Sequence, residues 1–63
     1  MENKPLTAKQ EAFARNYVAN GFNGFQAAVK AGYAEDSARV EASRLLTNAN
    51  VAAFIEELKK PAV

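Results

Sequence analysis

Sixty-three residues carry eight basic and seven acidic side chains, no cysteine and no histidine. That inventory removes disulfide frameworks, thiolate or imidazole metal sites and every histidine-dependent catalytic triad. The net charge of +1 is far from the strongly basic balance of a domain that coats nucleic acid unaided, so any DNA affinity is expected to be modest per copy.

A chain this short buries only roughly 60% of the surface it exposes when unfolded, which allows one domain with one small core. Hydrophobic residues make up 49% of it, but many are alanines. The core is therefore expected to rest on Leu6, Phe13, Tyr17, Val18, Phe25, Val29, Tyr33, Leu45, Leu46, Val51, Phe54, Ile55 and Leu58. No apolar run approaches the roughly 18 to 20 residues of a membrane span, and the N-terminus Met-Glu-Asn-Lys-Pro lacks the apolar stretch of a signal peptide. A soluble cytoplasmic protein is expected.

Thr7 followed three residues later by Gln10 spells a capping box, and Phe13, Ala14, Tyr17 and Val18 then recur at helical spacing. This predicts a first helix over about Ala8 to Ala19. Asn20, Gly21, Phe22, Asn23 and Gly24 form a loop in which either glycine can take a positive φ, and Asn23 is placed to cap the next element. A short second helix is expected over about Gly24 to Ala31, with Gly32 as its left-handed terminator.

Beyond Tyr33, the acidic pair Glu35 and Asp36 suits the positive N-terminal end of a third helix over about Glu35 to Leu46. Asn48 or Asn50 can cap a fourth, whose Val51, Phe54, Ile55 and Leu58 fall at i, i+3, i+4 and i+7 before Pro61 stops it. Strand alternation, internal repeats and low-complexity segments are absent from the sequence. The expected fold is all-α: a compact bundle of about four short helices containing a helix-turn-helix. It forms a single domain over 1–63, with its core in 6–60.

Helix three has two unlike sides. At roughly 100° per residue, Ala38, Ala42, Leu45 and Leu46 cluster on one side and must face the core. The opposite side collects Asp36, Ser37, Val40, Ser43, Arg44 and Thr47, with Arg39 at its border. Small hydroxyls let a helix sit deep in a DNA groove, arginine can donate two bonds to a guanine edge, and valine can touch a thymine methyl. A solvated face of the same composition is the ordinary alternative, and helix-turn-helix arrangements also occur without DNA.

Arg39 has Glu35 four residues before it, and Arg44 has Glu41 three before it, so either arginine can form a local ion pair instead. Gln26 and Lys30 lie where the first helix of such a motif crosses the DNA backbone, which makes them candidates for phosphate contact. Lys4, Lys9 and Arg15 are weaker candidates, Lys4 as a flexible arm reaching a minor groove. The candidate DNA-contacting set is Gln26, Lys30, Ser37, Arg39, Val40, Ser43, Arg44 and Thr47. Phe13, Tyr17, Phe25, Tyr33 and Phe54 sit at core spacing or beside a turn glycine, so they read as packing rather than base-stacking platforms. Phe22 lies off any stripe, free to fold over the core or meet a partner.

Catalysis is not expected. The acidic pairs Glu35/Asp36 and Glu56/Glu57 are sequence neighbours that point about 100° apart on a helix and share no site. No glycine-rich phosphate loop of Walker spelling occurs, and no cofactor or metal is expected.

Four segments appear in a familiar order: L-T-A-K-Q-E-A-F at 6–13, Q-A-A-V-K-A-G-Y at 26–33, S-A-R at 37–39 and S-R-L-L-T-N at 43–48. In this order they resemble the N-terminal DNA-binding domain of bacteriophage terminase small subunits, over about Leu6 to Leu58. The set is fairly specific jointly, while any one piece is weak.

The resemblance implies a packaging component in the host-cell cytoplasm that recognises the packaging site on viral double-stranded DNA. It would present that site to a large subunit with ATPase and nuclease activities. In that family a C-terminal segment assembles the subunits into a homo-oligomeric ring, and that segment is missing here. This fragment is accordingly expected to be a monomer of weak affinity, touching about two to four phosphates per copy. Two positions depart from the family habit, Ala34 where a helix-capping residue is common and Ala49 where proline is frequent. They put in doubt only where helices three and four begin.

Two other functions share the fold. A transcription-regulator module would need a two-fold dimer with half-sites one helical turn apart, and the chain offers no obvious extra apolar face for one. A protein-interaction bundle would depend on Phe22 or on exposed positions of helix four rather than on Arg44.

Overall fold

In a computed structural model, which describes residues 6–60, four helices follow one another: α1 (Ala8–Ala19), α2 (Gly24–Ala31), α3 (Glu35–Thr47) and α4 (Ala49–Lys59). No strand occurs among the described residues, so the expected all-α bundle is what forms. None of these helices is long and apolar enough to cross a membrane. The suggested Lys4 arm lies outside the described residues.

Each boundary has a local cause. The capping box closes as spelled: the Thr7 amide donates to Gln10 Oε1 at 3.0 Å and the Gln10 amide donates to Thr7 Oγ1 at 3.1 Å. Asn23 Oδ1 accepts the Gln26 amide at the start of α2. At its end Gly32 adopts φ 109°, while the Gly32 and Tyr33 amides reach back to the Val29 and Ala28 carbonyls at 3.1 and 3.0 Å. This pair of bonds is a Schellman motif, which satisfies carbonyls the helix would otherwise leave unpaired.

Of the two asparagines suited to cap α4, Asn48 does so, accepting from the Asn50 and Val51 amides. α3 runs one residue past the expected Leu46, to Thr47. Its N-terminus is the one helix start with no side-chain cap, because Ala34 has no oxygen to offer.

The loop after α1 holds one left-handed glycine, as expected, and a second left-handed residue that the sequence does not announce. Gly21 takes a positive φ of 82°, but the second left-handed residue of the loop is Phe22 at 70°, not Gly24. A left-handed non-glycine residue costs roughly 1–2 kcal/mol. Two contacts hold Phe22 there: its amide donates to the Tyr17 carbonyl at 2.8 Å, and its ring meets Tyr17 edge-on with centroids 5.4 Å apart. Gly24 instead opens α2, and its missing side chain matters for packing. A Cβ at Gly24 would lie 3.2 Å from that of Ala42, so α2 and α3 approach more closely there than two alanines would comfortably allow.

The buried core is smaller and finer-grained than the sequence suggests. It consists of Phe13 and Ala14 from α1, Ala27 and Ala28 from α2, Ala38, Ala42 and Leu45 from α3, and Val51 and Ile55 from α4. Leu6, Tyr17, Val18, Phe25, Val29, Tyr33, Leu46, Phe54 and Leu58 pack around it but stay partly exposed. Five alanines thus share the centre with Phe13, Leu45, Val51 and Ile55, and the other large residues form the shell. The alanines let the helix axes come close around these few large side chains.

Candidate nucleic-acid interface

α2, the Gly32-Tyr33-Ala34 link and α3 form a helix-turn-helix whose second member rests on the bundle by its inner side. On its outer side Asp36, Arg39, Val40, Ser43, Arg44 and Thr47 are all exposed, Val40 to 59%. Ser37 is only half-buried into the turn, and its hydroxyl donates to the Ala34 carbonyl at 3.3 Å. The Thr47 hydroxyl likewise donates to the Arg44 carbonyl at 2.8 Å, which spends its proton and leaves its lone pairs outward. Gln26 and Lys30 on α2 are exposed as well.

The local ion pairs available to the arginines do not form. Among the described residues the ion pairs are Arg15–Glu11 at 3.1 Å, Lys59–Glu56 at 3.1 Å and Lys60–Glu57 at 3.3 Å. Neither Arg39 nor Arg44 is tied to a carboxylate among the described residues. Arg39 lies instead over the ring of Phe25 on the neighbouring helix, 5.7 Å from its centroid. Sequence spacing gives no warning of that contact, because it joins two helices rather than two turns of one.

The lesser candidates are otherwise engaged. Lys9 sits over the Tyr33 ring at 4.8 Å, and Arg15 both pairs with Glu11 and covers Phe54 at 5.4 Å. Burial pushes the Tyr33 phenol above its ordinary pKa, and the Glu41 carboxylate adds to the effect. Among the described residues no group of acidic side chains is placed to hold a metal ion.

A separate groove of about 330 Å³ lies between the α1–α2 loop and α4, lined by Tyr17, Phe22, Leu46, Ala52, Ile55, Glu56 and Lys59. Phe22 is half exposed at its rim, with the Lys59 ammonium 5.6 Å from its ring. None of the outer residues of α3 borders this groove.

The fold and the open outer side of α3 define a class: a small all-α domain that presents the second helix of a helix-turn-helix. Comparison with known proteins narrows the class. The terminase small subunit family model matches residues 6–62. The terminase small subunit of Staphylococcus phage 80alpha is 48% identical over 52 residues, covering 82% of this chain and 36% of that protein. The PBSX phage terminase small subunit of Bacillus subtilis (strain 168) is 48% identical over 63 residues, covering 100% of this chain and 23% of that protein.

The chain belongs to the terminase small subunit family. It spans between 23% and 36% of the length of these relatives. No solved structure matches it significantly.

Proposed function

We propose that the chain is the DNA-reading domain of a terminase small subunit. In this reading it recognises the packaging site on viral double-stranded DNA in the host-cell cytoplasm, so that a large subunit can package the genome. The domain itself binds and does not catalyse. The observation that carries the reading is the outer side of α3, where Val40, Ser43, Arg44 and Thr47 are exposed and Arg44 is committed to no carboxylate among the described residues.

In this reading Arg44 donates to a guanine edge, Val40 meets a thymine methyl, and Ser43 and Thr47 leave room for the helix to sit deep. Gln26 and Lys30 meet phosphates from α2, and Arg39 does so from the border of α3. Ser37 contributes at the turn, with its hydroxyl already bonded to Ala34. Glu35 and Asp36 would repel phosphates, so α3 enters the groove by its middle and last turns rather than its first.

Few cations per copy mean feeble binding by a monomer. Several copies held in a ring by residues outside this domain would engage DNA at high effective concentration. The test is amide chemical-shift mapping with a short mixed-sequence duplex, combined with a salt titration. Shifts confined to α2 and α3 are expected, with a log–log salt slope of about −1.8 to −3.6 for two to four phosphates. Absence of shifts at high duplex concentration, or shifts at Phe22 and α4 alone, would overturn the reading.

A further inference from the structure

Arg39 is the cation whose surroundings least resemble those expected from its own helix. Glu35, one turn before it, is not its partner; the guanidinium lies over the half-buried Phe25 of α2, 5.7 Å from the ring centroid. We infer that Phe25 is a positioning residue for DNA binding: its ring holds the Arg39 guanidinium, across the helix-turn-helix, in the pose that meets a DNA phosphate. This rests on the DNA-reading role proposed above and assigns a task to a residue that sequence spacing marks only as core.

The chemistry favours it on three counts. A ring partner has no carboxylate oxygen to take up the guanidinium N–H donors, so they stay available for a phosphate. A carboxylate partner would occupy those same donors. An exposed arginine that is loose in solution must lose rotamer freedom on binding, whereas one already resting on a ring loses less. The contact also joins α2 to α3, so it fixes the guanidinium relative to both helices that would face the duplex.

The test is the affinity of the 63-residue chain for a short mixed-sequence duplex as a function of salt, with variants at both positions. Arg39→Ala removes the charge, so affinity falls and the log–log salt slope shrinks by about 0.9. Phe25→Leu keeps apolar bulk and every charge, so affinity falls about two- to fivefold while the slope stays as in the wild type. Phe25→Tyr, which keeps the ring face, restores wild-type affinity.

Arg39→Lys, at an exposed position that cannot unfold the bundle, keeps the charge but loses the planar group. It matches Phe25→Leu in affinity and slope. In the Arg39→Ala background Phe25→Leu should have no further effect. The inference is overturned if Phe25→Leu weakens binding equally with and without Arg39, or if Arg39→Ala leaves wild-type affinity intact. A wild-type chain that binds no duplex at any salt would overturn the DNA-reading role itself, and this inference with it.

Discussion

The two sides of α3 put the same thirteen residues to opposite uses. The inner side carries Ala38, Ala42 and Leu45, buried to within a few per cent, and at Ala42 it lies so near Gly24 of α2 that a Cβ there would sit only 3.2 Å from that of Ala42. The outer side carries Arg39, Val40, Ser43, Arg44 and Thr47 in the open. Small size inward lets helix axes close up, whereas outward Arg39 touches a neighbouring helix, over the Phe25 ring. A helix that is tightly packed on one side and open on the other can change its exposed chemistry without changing whether it folds.

That contrast breaks most visibly from the inside. Truncating Leu45, which is 5% exposed, to alanine should cost about 2–5 kcal/mol. A domain this small rarely has more than about 3–5 kcal/mol from its core, so Leu45→Ala should leave a large unfolded fraction at room temperature. Thermal melting followed by circular dichroism checks it; a variant melting like the wild type would mean that α3 is not held by its inner side.

From the outside the same helix should behave in reverse. Arg44→Ala should change stability by no more than about 0.5 kcal/mol, yet cost about 1–3 kcal/mol of DNA affinity if the guanidinium reads a base edge. Paired melting and binding measurements on one sample decide it. Loss of stability with affinity unchanged would place Arg44 on the structural side of the comparison.

How legible these two sides were in the sequence depends on the range of the forces involved. Capping is a local hydrogen-bond pattern, so Thr7, Asn23 and Gly32 announce their helix ends directly, and the four helices follow. Helical periodicity separates Ala38, Ala42 and Leu45 from Val40, Ser43 and Arg44 for the same reason.

Contacts between elements leave no such trace. Of the large residues expected in the core only Phe13, Leu45, Val51 and Ile55 are fully enclosed, and Ala14, Ala27, Ala28, Ala38 and Ala42 fill the rest, a choice visible only once helix spacing is known. Glu35 looks like the partner of Arg39 in one dimension, and Phe25 is its neighbour in three. Phe22 takes a left-handed backbone that sequence rules would assign to glycine, because Tyr17 supplies both a carbonyl and a ring to hold it.

The N-terminus of α3 sharpens the comparison by a gain rather than a loss. Ala34 has an extended backbone, φ −62° and ψ 141°, which suits a capping residue, yet no side chain bonds the first amides of the helix. Ala34→Ser should therefore stabilise the domain by about 1 kcal/mol and leave DNA affinity alone, since the change strengthens the helix and adds nothing to its outer side. An unchanged melting temperature would show that solvent or the half-buried Ser37 already satisfies those amides.

The smallest effect concerns pH and belongs to the turn between α2 and α3. Tyr33 has its phenol pKa raised by burial first and by the Glu41 carboxylate second, so the folded state holds the phenolic proton more tightly than the unfolded chain does. Above the ordinary value of 10.0 the unfolded chain releases that proton before the folded one does. The contribution is therefore complete below that pH and is lost as pH rises through the folded-state value. Denaturant unfolding across the alkaline range should show stability declining there, and Tyr33→Phe, which has no proton to lose, should decline less steeply. Equal slopes for the two proteins would remove Tyr33 from the alkaline loss.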